Sequence, residues 1–188
     1  MRVIAGSAKG RRLTTPRGQT TRPTSDRVKE ALFSTLTSMD CLEGAAVLDL
    51  FAGSGSLGIE ALSRGAASSI FVENHTLALK ALQLNVALCG LQDKARILPY
   101  TVQRSLETLG DQAQRFDLVF LDPPYQSGLY EQVLNQVAAL VTPDAIIVAE
   151  SARSMPLPDR IGLLVKSDRR VYGDTALEFF VTEQRDAP

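Results

Sequence analysis

Short apolar runs alternate with helical segments through most of this 188-residue chain. Each run has the length of one strand, and the segments between them carry apolar residues at the spacing of a helix that is buried on one side. This alternation predicts right-handed βαβ units whose parallel strands form a sheet with helices on both faces. The predicted strands cover residues 45–51, 68–73, 95–99, 116–122 and 145–150, and the predicted helices cover residues 57–64, 77–88, 102–109 and 130–140.

The last part of the chain has a different pattern. Residues 161–171 and 176–182 flank a tight turn at Gly173, which predicts an antiparallel hairpin at the edge of the sheet. The expected fold is therefore α/β and Rossmann-like, with a mostly parallel, seven-stranded sheet. A chain of this length fits one domain. Because no apolar run approaches the roughly 18 residues that a membrane span needs, we expect a cytoplasmic protein.

Charge is distributed unevenly along the chain. Residues 1–29 contain eight Lys and Arg residues against one Asp, whereas the rest is acidic and the whole chain has a net charge of −1. A solvated tail is one interpretation; we favour an arm that neutralises the phosphates of a nucleic acid. The predicted division is a basic arm over residues 1–23 and a main domain over residues 24–188. The expected RNA contacts are Lys9, Arg11, Arg12, Arg17, Arg22 and Arg27.

A glycine-rich loop follows the first predicted strand. Gly53, Gly55 and Gly58 form the pattern G-x-G-x-x-G between a strand and a helix, where glycine permits a tight turn and brings a ligand close to backbone N–H groups. Glu73 ends the second strand, at a position where a carboxylate can accept hydrogen bonds from ribose hydroxyls. These features predict a ligand that contains adenosine, and NAD or S-adenosylmethionine would satisfy them equally.

A carboxylate inside the first strand favours S-adenosylmethionine. Asp49 lies before Gly53 in a segment that we expect to be buried. Burying a carboxylate alone is costly, and the amino group of a methionine moiety would give it a partner. No metal site is expected, because the chain has one His and two isolated Cys residues.

The fourth predicted strand ends in the tetrapeptide D-P-P-Y, residues 122–125. Two successive prolines make a stiff segment without N–H donors. Because Asp122 precedes a proline, helical backbone angles are disfavoured at this residue. The Asp122 carboxylate and the Pro123 carbonyl can therefore accept both hydrogens of an exocyclic amine, while Tyr125 offers a face for a base swung out of its stack. Asp122, Pro123, Pro124 and Tyr125 are the expected catalytic residues.

Several of these motifs together resemble the bacterial RsmD family, which methylates guanine N2 in 16S ribosomal RNA. The resemblance spans nearly the whole chain, and the first and second motifs are its most specific parts. The matching segments are R-V-I-A-G-x-x-K-G-R-R-L at 2–13, R-P-T-S-D-R-V-K-E-A-L-F at 22–33, L-D-L-F-A-G-S-G-S-L-G-I-E-A-L-S-R-G-A at 48–66, F-V-E at 71–73, L-D-P-P-Y at 121–125 and Y-G-D-T-A-L-E-F-F at 172–180.

The resemblance implies a class I methyltransferase fold, S-adenosylmethionine as methyl donor and the guanine at position 966 of 16S rRNA as target. It also implies that the substrate is the small ribosomal subunit or an assembly intermediate, whose ribosomal proteins are further candidate contacts. We expect a monomer. The expected cofactor-binding residues are Asp49, Phe51, Ala52, Gly53, Ser54, Gly55, Glu73, Asn74 and Thr101.

Some alternatives stay open on the sequence. Related enzymes often place Asp or Asn after the third strand to bind adenine, whereas this chain reads L-P-Y-T-V-Q at 98–103, so that Thr101, Gln103 or a backbone carbonyl would have to substitute. Arg22 and Thr24 could contact the methionine end of the cofactor or the RNA, or could instead cap the following helix. A DNA adenine-N6 methyltransferase would use the same tetrapeptide. An NAD-dependent oxidoreductase and an RNA-binding protein without catalysis are more distant alternatives.

Overall fold

The computed structural model describes residues 1–15, 26–123 and 129–183. The described strands form one sheet in which β1, β2, β3, β4 and β5 are parallel and the remaining strands antiparallel. They run in the order β3-β2-β1-β4-β5-β8-β7-β6. Their bounds are β1 Ala46–Leu50, β2 Ser68–Val72, β3 Ala95–Leu98, β4 Phe116–Leu121, β5 Val141–Ala152, β6 Arg160–Ile161, β7 Leu164–Tyr172 and β8 Thr175–Thr182.

The helices cover both faces of the sheet, as the sequence predicts. Alternate residues of each central strand enter two apolar cores, so that Val47 and Phe120 pack on one face while Leu48 and Leu121 pack on the other. Helices α1, α2 and α3 contribute to the first core, and α4 and α5 to the second. Their bounds are α1 Asp26–Ser38, α2 Ser56–Ser63, α3 Thr76–Cys89, α4 Val102–Asp111 and α5 Leu129–Val137, and a short 3₁₀ helix spans Gln92–Lys94.

The α/β fold with a C-terminal antiparallel hairpin is confirmed, but the predicted number of seven strands was wrong. The structure has eight described strands, because the segment predicted as one strand over residues 161–171 turns at Gly162, where φ is +57°. The two-residue strand β6 then pairs back on the start of β7. Among the described residues, no helix is long and apolar enough to span a membrane.

The order of the strands fixes where a ligand can bind. The chain moves outward from β1 to β2 and β3, and then returns across β1 to place β4 on its other side. The connections after β1 and β4 therefore leave in opposite directions, and a crevice opens at the carboxyl ends of these two neighbouring strands. Asp49 occupies the penultimate position of β1, and Asp122 directly follows β4.

The first 13 residues form an N-terminal hairpin. Arg2 and Arg12 are bridged in antiparallel fashion, and the Val3 N–H donates to the Arg11 carbonyl at 2.9 Å. The hairpin has a buried apolar side, made of Val3, Ala8 and Leu13, and an exposed basic side, made of Arg2, Lys9, Arg11 and Arg12. Apolar contacts thus hold it on the domain while its cations face solvent.

Helix α2 binds the backbone of this hairpin. The Ile4 and Ala5 N–H groups donate to the two carboxylate oxygens of Glu60, at 2.8 and 3.0 Å. At Gly6, φ is +81° and a Cβ atom would lie 1.7 Å from the carbonyl oxygen of Ser63. Only glycine fits this position, because both the backbone angle and the close approach exclude a side chain.

A buried group of charges lies beneath the hairpin. Lys29 and Glu60 are fully buried, and the Lys29 Nζ lies 3.2 Å from Glu60 Oε2 while donating to the Arg2 carbonyl at 2.6 Å. Arg64 Nε donates to the other Glu60 oxygen at 2.8 Å. Burial lowers the pKa of Lys29, although the nearby Glu60 carboxylate acts in the opposite direction. This network ties α1, α2 and the hairpin together.

Candidate functional site

The glycine loop begins directly after β1 and ends at the start of α2. Gly55 is the N-cap of α2 with φ of +81°, a left-handed conformation that side chains disfavour. A Cβ atom there would also meet Leu82 Cδ1 of α3 at 2.3 Å. The loop is therefore pressed between β1 and α3, with the first N–H groups of α2 at the carboxyl end of the sheet.

Asp49 finds a partner within the protein. Its Oδ2 accepts a hydrogen bond from the Gly58 N–H at 2.8 Å, in the first turn of α2. Burial raises the pKa of Asp49 to about 7, the Gly58 N–H opposes that shift, and the negative charge of Glu73 adds to it. This carboxylate therefore has a hydrogen-bond donor from the protein where only a ligand was expected, and its contact with the methionine moiety stays a prediction.

Glu73 connects the glycine loop to the next helix. One of its oxygens accepts from the Gly53 N–H at 2.9 Å, and the other accepts from the Asn74 and His75 N–H groups, each at 2.8 Å. A carboxylate has about four acceptor positions, so three protein donors leave room for a hydroxyl group. The side chain is half-buried, which suits a contact with ribose.

A cavity of about 220 Å³ opens beside Glu73. Its walls combine apolar side chains with a few polar groups, as small-molecule sites do. Phe51, the first residue after β1, forms one wall and has a φ of +59°, a conformation that costs on the order of 1–3 kcal/mol and occurs preferentially at functional sites. The lining residues are Phe51, Val72, Glu73, Asn74, Tyr100, Thr101, Val102, Gln103, Leu129 and Val133.

Thr101 and Gln103 line this cavity, but both side chains already have partners. The Thr101 hydroxyl caps α4 by accepting from the Arg104 N–H at 3.4 Å, and Gln103 Oε1 accepts from Gln132 Nε2 at 2.9 Å. Sequence reasoning missed Tyr100, whose ring lies 4.3 Å from the Arg104 guanidinium carbon. Its position two residues after the third strand was the signal that could have found it.

The catalytic residues predicted from the tetrapeptide lie partly within the described chain. Asp122 is half-buried and Pro123 is buried, whereas Pro124 and Tyr125 lie outside the described residues. Burial raises the pKa of Asp122 well above its usual value, and the negative charges of Glu150 and then Asp49 raise it further. Asp49 and Asp122 therefore share one electrostatic site at the edge of the sheet.

Glu150 is a member of this site that sequence reasoning missed. It lies near the carboxyl end of β5, in the position after Ala149, which pairs with Leu121 of β4. The register thus places Glu150 beside Asp122, and its side chain is buried. The sequence did contain a signal for Glu150: like Glu73, it is a carboxylate at the end of an apolar predicted strand. Within the described residues, no group of three His, Cys, Asp or Glu side chains could hold a metal ion.

The predicted RNA-contacting residues are divided among three places. Lys9, Arg11 and Arg12 are exposed on the N-terminal hairpin, and Arg27 is exposed in the first turn of α1. Arg17 and Arg22 lie outside the described residues. The three hairpin cations are thus exposed on one element, and their contact with RNA stays a prediction.

Comparisons with known proteins agree with this geometry. The family described as Conserved hypothetical protein 95 matches residues 1–181. YlbH of Bacillus subtilis, provisionally named an rRNA methyltransferase, is 38% identical over 182 residues, which cover 96% of this chain and 98% of YlbH. Ribosomal RNA small subunit methyltransferase D of Haemophilus influenzae is 38% identical over 162 residues, 84% of this chain and 81% of that protein.

A solved structure supports the same relationship. A hypothetical protein from Thermus thermophilus superimposes with a TM-score of 0.82 at 32% sequence identity, covering 95% of this chain and 98% of that one. The similarity therefore includes both the central sheet and most of the segments around it.

Proposed function

Because the chain belongs to the Conserved hypothetical protein 95 family, which is the RsmD family, we propose that it methylates the exocyclic N2 of one guanine in 16S rRNA, with S-adenosylmethionine as donor. One observation carries this proposal. Asp122 follows β4 at the switch point of the sheet, next to the end of β1 where the glycine loop begins. Donor and acceptor sites would then meet at one edge.

The residues around the glycine loop fit S-adenosylmethionine. The cavity beside Glu73 has apolar walls for an adenine ring, and the Glu73 carboxylate would accept from ribose hydroxyls. Asp49, at the end of β1, would hold the ammonium group of the methionine moiety. Both acidic groups suit a ligand that carries positive charge. When bound, the cofactor supplies a methyl group that is electrophilic because it is attached to a sulfonium.

Asp122 and the Pro123 carbonyl would orient the target amine. Two fixed acceptors can take both N–H groups of a planar amine and direct its nitrogen at the methyl carbon, and they stabilise the positive charge that develops on that nitrogen. Only the ionised carboxylate gives full stabilisation. The raised pKa of Asp122 therefore implies that activity increases with pH, and positive charge from a bound cofactor would lower that pKa.

The exposed cations Lys9, Arg11 and Arg12 would bind RNA phosphates, together with Arg17, Arg22 and Arg27. We propose that the substrate is the small ribosomal subunit or one of its assembly intermediates, that ribosomal proteins are further contacts, and that the enzyme acts in the cytoplasm as a monomer. A base that stacks on Tyr125 outside its helix would complete the site.

The decisive experiment uses labelled S-adenosylmethionine and small-subunit particles that lack the modification. We expect label on N2 of a single guanine in 16S rRNA. Asp122→Asn should lower kcat by at least ~10²-fold while the calorimetric affinity for S-adenosylhomocysteine stays unchanged. Asp144→Asn, at an exposed site near the opposite end of β5, is the matched control and should retain full activity.

Two results would overturn the proposal. Label on the N6 of adenine in DNA, with none on the ribosomal particle, would make the enzyme a DNA methyltransferase. Calorimetric binding of NAD without binding of S-adenosylhomocysteine would place it among the oxidoreductases.

A further inference from the structure

Asn85 of α3 joins the N-terminal hairpin segment to the cofactor loop. Its side chain is fully buried. Asn85 Oδ1 accepts from the Thr14 N–H at 2.8 Å, and its Nδ2 donates to the Thr14 carbonyl at 2.9 Å and to the Ser54 carbonyl at 2.9 Å. Thr14 directly follows the hairpin, whereas Ser54 lies between the first two glycines of the loop. One amide thus contacts both proposed binding elements.

A second connection reaches the helix that follows the same loop. Glu60 accepts from the Ile4 and Ala5 N–H groups of the hairpin, and it lies on α2, which begins directly after Gly55. The hairpin segment is therefore connected to the loop through Asn85 and to the helix after the loop through Glu60. Of the two connections, Asn85 is the one that contacts the loop backbone itself.

We propose that Asn85 is a positioning residue that couples RNA binding on the hairpin to cofactor binding on the glycine loop. This inference rests on the proposed function, since it assigns RNA to one element and S-adenosylmethionine to the other. It adds a claim of its own, which is that the two ligands bind cooperatively through one buried amide.

The physical reason is that a buried amide must keep all of its partners. If the hairpin moves away, Asn85 loses two hydrogen bonds to Thr14, and an unpaired polar group remains in the core. If the Ser54 carbonyl rotated away from Asn85, one N–H of the Asn85 amide would likewise lose its acceptor. The docked hairpin and the ligand-ready loop therefore favour each other, and by thermodynamic linkage each ligand must strengthen the binding of the other equally.

The coupling can be measured as a ratio of two dissociation constants. Fluorescently labelled small-subunit particles that lack the modification are titrated with the protein, once without and once with saturating S-adenosylhomocysteine. We expect the wild-type protein to bind this RNA substrate at least about 5-fold more tightly in the presence of S-adenosylhomocysteine. Asn85→Ala should reduce the ratio to about one, although each ligand still binds.

Two further variants separate coupling from folding. Thr14→Pro removes the N–H that donates to Asn85 but leaves the Asn85–Ser54 hydrogen bond in place, so it should also lower the ratio. Asn135→Ala is the matched control, because Asn135 is an exposed helical asparagine on α5; it should preserve the wild-type ratio. If Asn85→Ala fails to fold, Thr14→Pro alone decides the question.

A wild-type ratio of one, or an undiminished ratio in a folded Asn85→Ala or Thr14→Pro variant, would overturn the inference. These results differ from failure of the proposed function. If neither ligand bound the wild-type protein, the assigned function itself would be wrong, whereas independent binding of both ligands would contradict only the coupling.

Discussion

Two groups of charged residues lie near the glycine loop, and they are balanced in different ways. Beneath the N-terminal hairpin, Glu60 is paired with Lys29 and Arg64. At the carboxyl edge of the sheet, Asp49 and Asp122 lie in a shared negative field, and neither forms a salt bridge with another described residue. The protein thus pairs the charges that hold its structure, whereas the two Asp carboxyl groups have no salt bridge among the described residues at the place where we propose that a cationic ligand binds.

The largest expected effect comes from breaking the balanced group. Glu60→Gln leaves Lys29 with a buried and uncompensated charge, so the free energy of unfolding should fall by about 3–5 kcal/mol. Denaturant unfolding measures this change. Glu183→Gln breaks the exposed Arg160–Glu183 pair and is the control, with no measurable loss expected. If both variants lost the same free energy of unfolding, the buried Lys29–Glu60 pair would contribute no more to stability than the exposed Arg160–Glu183 pair.

The next prediction concerns Asp49, whose pKa is about 7 in the folded protein and near 4 when unfolded. Since the folded state holds this proton more tightly, its contribution to stability is complete below about pH 4 and is lost as the pH rises through about 7. Asp49→Asn removes this dependence. Between these pH values, the wild-type protein should lose on the order of 3 kcal/mol relative to the variant.

The same titration should appear in ligand binding. An ionised Asp49 is needed to hold an ammonium group, so the calorimetric affinity of the wild-type protein for S-adenosylhomocysteine should increase from pH 5 to about pH 7. If Asp49→Asn shows the same increase, Asp49 is not the group that responds.

A smaller effect should follow when the negative field around Asp122 is weakened. Glu150→Gln removes one of the charges that raise the pKa of Asp122. The acid limb of the profile of kcat/KM against pH should therefore move to lower pH. Glu131→Gln, at an exposed position on α5, should leave the profile in place. A Glu150→Gln profile that matches the wild-type one would remove Glu150 from the electrostatic site.

The smallest effect concerns the basic face of the hairpin, which is separate from the buried charges beneath it. Replacing Arg11 and Arg12 by Ala should reduce the slope of log affinity against log salt for RNA by about 2, roughly one for each lost phosphate contact. Arg115→Ala changes an exposed arginine elsewhere and should not affect the slope. An unaltered slope in the double variant would mean that the hairpin does not contact RNA.

The sequence was sufficient for the elements that local patterns determine. The strand, glycine loop and helix around Gly55 were predicted within a few residues, because alternating burial and glycine conformations are local properties. Glu73 was also selected from its spacing to Gly53; the structure shows its carboxylate accepting from the Gly53 N–H, and its contact with ribose stays a prediction. The extra strand β6 was missed because Gly162, a possible turn signal, was included within one predicted strand, and β6 has only two residues.

Contacts between distant segments could not be predicted in this way. Asn85 is 71 residues from Thr14 and 31 residues from Ser54, and its polar side chain on a helix has no pattern that indicates a core position. The pairing of Lys29 with Glu60 is hidden for the same reason. The positive φ of Phe51 is likewise without a local signal, because an aromatic residue does not favour that angle.

The close approach of Gly6 to Ser63 has one more consequence. Gly6→Ala would add a single methyl group, which would force the hairpin away from α2 without altering any cationic side chain. This substitution would therefore change the position of the basic face while its charge stays the same. If RNA affinity depends on the position of the basic face, it should fall in this variant. If it depends on charge alone, it should be unchanged.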